Sequence, residues 1–440
     1  MAIALPSEAP ASATRSHATV PIGYLYPSGW GNLGDEAIQQ AAIAAFHAAW
    51  PECRIRAFTL NPAATAARHG IEAEPITGVS SRFNYIRFDD IPRGLRSLSA
   101  VVDRIQRPWI LHRALRGLEQ VVRTVVLESR SLMEAWRWLG DAKAFVAAGG
   151  GQLDDSWGGS FGHPYALARW AWLARRRGVP FVMLSVGFGQ ARSRLARAML
   201  RYAVNRSSYC SLREDGSRHL VAELGVRTRL TVVPDLAFAL TKQPGDPPAG
   251  PPLSIGVSPM AFRHSAWPEA DARRYGGYVT LWTALVTDRV RRGDRVHLYT
   301  TNPTDEAVVD DLWTRLDPTT QAGCVRERIT TVEALLVLYA RLHLVVATRL
   351  HAVLLALVAE RPAVALSYER KVQTLMRDAG LADYCVELEG TDLALASAAI
   401  DRAAAHRAEL GSAIARRVAA WRAEVDAQTR ALPSLLVANA

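Results

Sequence analysis

Short, mainly apolar runs alternate with longer stretches whose apolar residues recur every three or four positions, and this rhythm persists along most of the chain. The runs at 20–26, 54–60, 144–148, 181–186, 208–212 and 231–233 read as strands. Between most of them, 36–50, 165–177, 191–204 and 217–224 carry helical periodicity. After residue 252 the pattern resumes, with strands at 253–257, 295–300, 325–329, 342–347 and 363–366. Helices are expected at 278–292, 305–316, 331–340, 352–359 and 373–379, and one long helix at 392–428. Strands apolar on both faces, joined by helices, predict parallel sheets covered on both sides. Residues 241–252 hold five Pro and two Gly and read as a linker. The expected organisation is an α/β domain over 20–240, a second over 253–391 and a C-terminal helix over 392–440. Two doubly wound, Rossmann-like domains then face a cleft.

One segment breaks the rhythm. Residues 82–140 hold eleven Arg and six acids, with Leu95, Leu98, Val102, Ile105, Trp109, Leu115, Leu118, Val122 and Val126 at helical spacing. This predicts an inserted helical segment in the first domain. Its basic, Trp-bearing face suits a membrane surface or a lipid-linked substrate; such a stripe is more often packed core under a solvated Arg face. Residues 1–19, rich in Ala, Ser and Pro, read as a disordered leader.

Composition narrows the partners. The 440 residues carry a net charge of +10, and Lys occurs only at Lys143, Lys242 and Lys371. The basic balance favours anionic substrates or surfaces, and the lack of a dense basic run with interleaved aromatics argues against nucleic acid. Four dispersed cysteines have no metal-ligand spacing and read as reduced thiols. No metal and no resident cofactor are expected. With no apolar run of membrane-spanning length, a cytoplasmic protein, peripheral to a membrane at most, is expected.

Chemistry is offered where strands end. Thr348-Arg349-Leu350-His351-Ala352 leaves an apolar strand and opens a helix, so an Arg and a His sit beside the positive end of a helix dipole. That suits a small phosphorylated acid, although Arg349 also reads as a helix-start residue and His351 as a core histidine. Gly29 to Asp35 and Gly149 to Asp155 are Gly-rich turns after strands, without the GxGxxG spacing of a dinucleotide site. Asn32 and Asp35 there serve either a ligand or merely the local turn and cap.

These motifs together resemble the polysaccharide pyruvyl transferase family. The resemblance rests on Gly31-Asn32-Leu33-Gly34-Asp35-Glu36-Ala37, Gly149-Gly150-Gly151, Ser211-Leu212-Arg213-Glu214-Asp215-Gly216-Ser217, Pro234-Asp235, Thr348 to Ala352 and Tyr368-Glu369-Arg370-Lys371. It covers roughly 20–390 and implies a GT-B-like fold. It also implies transfer of the carboxyvinyl carbons of phosphoenolpyruvate to two sugar hydroxyls, as a ketal, with release of phosphate. On that resemblance Arg213, Arg349, Leu350, His351 and Lys371 bind the donor. His351, with its charge change near neutral pH, is the candidate proton donor. Asp35 and Glu36 are the other catalytic candidates. Asn32, Gly34, Gly150, Gly151, Asp155 and Asp235 line the acceptor side or the cleft. Lys371 and Asp235 alternatively form a structural ion pair. The implied partners are phosphoenolpyruvate and a glycan or lipid-linked saccharide. A sugar-nucleotide glycosyltransferase of GT-B fold and a noncatalytic sugar-binding member are the alternatives.

Overall fold

The computed structural model describes residues 20–78, 109–156, 158–265 and 270–437. The leader and the 82–108 part of the insertion lie outside the described residues. The first half contains β1 (Val20–Leu25), α1 (Leu33–Ala49), β2 (Cys53–Thr59), α2 (Pro62–His69), β3 (Glu72–Pro75), α3 (Trp109–Trp138), β4 (Ala144–Ala148), α4 (His163–Arg177), β5 (Phe181–Val186), α5 (Arg194–Arg206), β6 (Tyr209–Leu212), α6 (Asp215–Ala222) and β7 (Leu230–Val232). The second contains β8 (Ser254–Ser258), α7 (Ala272–Arg291), β9 (Arg295–Leu298), α8 (Glu306–Arg315), α9 (Pro318–Ala322), β10 (Cys324–Arg326), α10 (Val332–Ala340), β11 (Leu344–Ala347), α11 (Leu350–Val358), β12 (Ala363–Ser367), α12 (Arg370–Asp378), β13 (Cys385–Glu387), α13 (Leu393–Ala405) and α14 (Arg407–Val437).

The strands form two sheets, ordered β3-β2-β1-β4-β5-β6-β7 and β10-β9-β8-β11-β12-β13, with every pair parallel. Each sheet therefore reverses direction beside its own first strand. Loops on the two sides of that reversal splay apart and leave a crevice at the carboxyl ends of the strands. In the first sheet the reversal falls between β1 and β4, the two strands that end in Gly-rich turns. In the second it falls between β8 and β11, and β11 delivers Arg349. The central strands are apolar on both faces because helices cover both; all five residues of β4 and of β12 are buried.

Two elements of the first sheet carry weak sequence signals. α2 opens at Asn61-Pro62, where the Asn61 side chain accepts from the Ala64 N–H and Pro62 supplies the first helical φ. It leads into β3, only four residues long and half exposed. The expected single C-terminal helix is two, α13 and α14, broken at His406.

α14 crosses back to the first domain. Trp421 packs on Phe238 at 4.5 Å, and Arg422 donates to the Leu240 carbonyl at 2.8 Å. Gln428 inserts its amide beneath the β5 bulge, accepting from Ser211 Oγ at 2.5 Å and donating to Ser185 Oγ at 3.1 Å. Ser185 holds φ +49°, a region costly for a non-glycine residue, so this buried amide fastens a strained turn as well as a helix.

α3 runs between β3 and β4. Its Glu128 carboxylate takes Tyr165 Oη and the Gly78 N–H, each at 2.8 Å, and ion-pairs with buried Arg169. One side of α3 is thus core. Another leaves Leu118, Val121, Val125 and Met133 more than half exposed, and of the stripe read from the sequence Leu118 and Val122 are exposed. No described helix is long and apolar enough to cross a membrane.

Candidate active site

The two domains meet where α1 of the first faces α11 of the second. The Leu33 N–H donates to the Thr301 carbonyl at 2.9 Å across the boundary. Gly34 lies directly against the His351 ring: a Cβ built on Gly34 would stand 2.1 Å from His351 Cγ. The absence of a side chain at 34 is what lets an imidazole from one domain rest on a helix start of the other.

Around this contact the structure gathers most of the residues singled out above. Asp35 accepts a hydrogen bond from Tyr26 Oη at 3.0 Å. Tyr26 also props the second Gly turn: Gly150 has φ +67°, and a Cβ there would strike Tyr26 Oη at 2.5 Å. Gly151 next to it faces open space. Arg213 is nearly buried, held by Glu214 at 3.0 Å and Asp235 at 3.4 Å, with its guanidinium lying over Gly187. Asp235 is itself buried, and it caps the turn that follows by accepting from the Ala237 N–H. Lys371 pairs with Glu369 at 3.0 Å, so the Lys371–Asp235 pair is not formed.

Arg349 is gripped through Nε and an Nη by both oxygens of fully buried Asp305. A further Nη2 bond runs to Thr304 Oγ1 at 3.4 Å; together these orient the guanidinium and leave its Nη1 N–H groups for a ligand. Neither the N-cap Arg349 of α11 nor the N-cap Glu369 of α12 bonds a first-turn N–H with its side chain. Two adjacent helix starts therefore present uncapped amides, with Arg349 and Lys371 beside them, an arrangement made for an anion. Leu350 is buried beneath it.

Electrostatics set the protonation states. Burial pushes the Asp35 carboxyl up to about 6 against the pull of Tyr26, Arg349, Lys371 and Arg213. A charge change near neutral pH is the ordinary expectation for His351, and here it is corrected. Burial first, then the surrounding Arg213, Lys371 and Arg349, hold its imidazole down to about 3. His351 is thus neutral at physiological pH, and its buried Nε2 has no hydrogen-bond partner. Of these two groups, Asp35 rather than His351 titrates near neutrality.

A folding consequence follows from the Asp35 shift. The folded value of about 6 lies above the ordinary 3.8, so the stabilising proton is fully held below about pH 4 and lost as pH rises through 6. Asp35→Asn, which cannot ionise, is expected to be more stable than the parent at pH 8 by on the order of 2 kcal/mol, with the gap closing by pH 4. Urea unfolding at both pH values measures this; a gap of equal size at each would contradict it.

Other residues do local work. Asn32 accepts from the Gly34 N–H at 3.0 Å as the N-cap of α1. Asp155 spends its carboxylate on the N–H groups of Arg192 and Ser193, at 2.7 and 3.1 Å, ahead of α5. The neighbouring Asp154 is the carboxylate that feels Lys371 and is raised, chiefly by burial. A DD pair does not say which member turns inward. Glu36 is buried, ion-paired with Arg68 of α2, and raised to about 7 by burial. Arg68, Asp154, Asp305 and Tyr26 are site residues that the sequence reading passes over. Among the described residues no group of three or more His, Cys, Asp or Glu is arranged to hold a metal ion.

Comparisons with known proteins bear on family and fold. The family model described as polysaccharide pyruvyl transferase matches residues 32–370. No curated protein matches. Among solved structures, UDP-GlcNAc 2-epimerase from Neisseria meningitidis, bound to UDP-GlcNAc, is similar at TM-score 0.54 and 9% identity, over 95% of this chain and 100% of that one. The glycosyltransferase SnogD from Streptomyces nogalater is similar at 0.52 and 14%, over 95% and 99%. Anabaena Alr3699/HepE, in complex with UDP and glucose, is similar at 0.51 and 13%, over 95% and 99%. At these identities the likeness is one of fold, a GT-B-like pair of Rossmann domains about a cleft.

Proposed function

The chain belongs to the polysaccharide pyruvyl transferase family, and from that premise we propose that it moves the carboxyvinyl carbons of phosphoenolpyruvate onto two hydroxyls of a glycan or glycoside, forming a pyruvate ketal and releasing phosphate. The observation that carries this reading is the convergence of Arg213, Arg349 and Lys371 on the one interdomain site that also holds Asp35 and a neutral, unpartnered His351 nitrogen.

The charges suit the donor. Its phosphate and carboxylate take separate guanidiniums, with the amides at the starts of α11 and α12 adding donors. Its negative charge offsets the three cations that suppress imidazolium, so His351 becomes able to carry a proton once the donor is bound. Protonation of the methylene carbon by His351 leaves C2 open to the first hydroxyl, whose proton Asp35 accepts. Phosphate then departs with its electron pair, the second hydroxyl attacks C2, and its proton leaves with the phosphate. No resident cofactor is part of this reading.

Other parts of the reading have their own support. Four unpaired cysteines accord with a cytoplasmic setting. The exposed apolar residues of α3 offer a place for peripheral contact with a membrane bearing a lipid-linked acceptor. Phosphate release from phosphoenolpyruvate, assayed across free and lipid-linked saccharides, is the direct test, and the activity is expected to survive EDTA. UDP released from a sugar nucleotide, without consumption of phosphoenolpyruvate, would instead establish the glycosyltransferase alternative. A requirement for magnesium or manganese would overturn the cofactor-free reading.

A further inference from the structure

Behind Asp35, between α1 and α2, lies a narrow polar pocket that the donor chemistry leaves unused. Its lining includes Ser28, Glu36 and Gln39 from the first strand-to-helix unit and Thr65, Arg68 and His69 from α2. Gly29, Gly31, Asn32 and Asp35 also line it, so it adjoins the reactive cluster. Gln39 is 2% exposed. Its Nε2 donates to Ser28 Oγ, which fixes the amide, and its Oε1 is buried with no hydrogen-bond partner. His69 Nε2 is also buried and without a partner.

Two orphaned atoms in one pocket are costly unless a ligand satisfies them, since each buried, unmade hydrogen bond costs on the order of 1–3 kcal/mol. Their chemistry is selective. Gln39 Oε1 must receive a hydrogen bond. Burial and the neighbouring Arg68 lower the pKa of His69, whose neutral ring leaves Nε2 to accept or to donate according to tautomer. Asp35 and Glu36 disfavour an anion, and Arg68 disfavours a cation. A neutral group that both donates and accepts fits all of these.

We infer that this pocket, with a volume of about 20 Å³ that suits a single hydroxyl, is a saccharide subsite: it holds one ring hydroxyl of the acceptor that is not itself ketalised, and so sets which sugar presents its diol to the donor. This rests on the transferase reading for the identity of the ligand as acceptor, but not for its chemistry. Gln39 and His69 act here as specificity-determining residues on a neighbouring hydroxyl.

The test uses direct binding, followed by calorimetry, of methyl hexopyranosides and methyl 2-acetamido-hexopyranosides, with their monodeoxy derivatives, to the full chain and to Gln39→Leu and His69→Phe. At least one glycoside is expected to bind the parent and to lose about tenfold in Gln39→Leu. One monodeoxy derivative should show the same loss with the parent and no further loss with Gln39→Leu. Phosphoenolpyruvate affinity should be unchanged in both variants. Should Gln39→Leu fail to fold, His69→Phe, at a partly exposed site, carries the comparison with the same expected pattern. Absence of glycoside binding to the parent, parental affinity in the folded variants, or additive losses in the deoxy comparison would overturn the subsite. Glycoside binding of the expected pattern without phosphate release from phosphoenolpyruvate would instead sink the transferase reading and leave the subsite standing. Turnover at parental acceptor Michaelis constant in both variants would sink the subsite alone.

Discussion

Gly34→Ala is expected to reduce turnover by about a hundredfold or more while leaving the first domain folded. The added methyl would stand 2.1 Å from His351 Cγ and 2.4 Å from His351 Cβ. The latter is fixed at the start of α11, so the ring cannot simply swing aside. Either His351 is displaced or the two domains separate, and misplacement of a catalytic group by about 1 Å costs on the order of a hundredfold. Intrinsic propensity runs the other way, because Ala is favoured over Gly within a helix by about 1 kcal/mol. The propensity gain offsets only part of the cost of the clash, so the expected signature is a loss of rate far larger than the loss of stability. Steady-state kinetics beside thermal unfolding provides the measurement, and parental turnover in a folded Gly34→Ala protein would show that the contact between the domains is incidental to catalysis.

Arg349→Ala is expected to act twice. A donor site read from sequence alone predicts loss of activity with the fold intact. The structure alters that, because Asp305 is fully buried and Arg349 is its ion-pair partner. Breaking such a pair from one side leaves a carboxylate uncompensated and costs about 3–5 kcal/mol. Donor affinity should fall separately, by about ten- to a hundredfold, through loss of a charge-assisted contact. The double variant Arg349→Ala, Asp305→Asn separates the two effects. It should recover most of the stability and none of the affinity for phosphoenolpyruvate. Affinity that returned along with stability would mean that Arg349 only supports the site and does not touch the donor.

What the chain declares by itself is the rhythm. Apolar runs bounded by Gly loops and periodic helices required parallel sheets, and the order of short motifs pointed to the family, because strand ends and helix starts are written in neighbouring residues. Gly34, Arg213, Arg349, His351 and Lys371 were legible for the same reason: each sits at a strand-to-helix junction, where a local pattern says that a side chain is offered to a ligand. Only the tertiary structure decided what those side chains meet. The imidazole of His351 is held neutral by burial first and then by cations from three different segments, and its resting place is a glycine more than three hundred residues away. Arg349 is tied to Asp305, which the sequence presents as one more acid before a helix. Asp154 feels the charge of Lys371 while Asp155 binds the amides that lead into a helix, although the two are adjacent and identical in type. α2, with Arg68 and His69, was hidden by its length of eight residues. Burial, charge and partner depend on packing between segments distant in sequence, and no window of neighbouring residues contains that information.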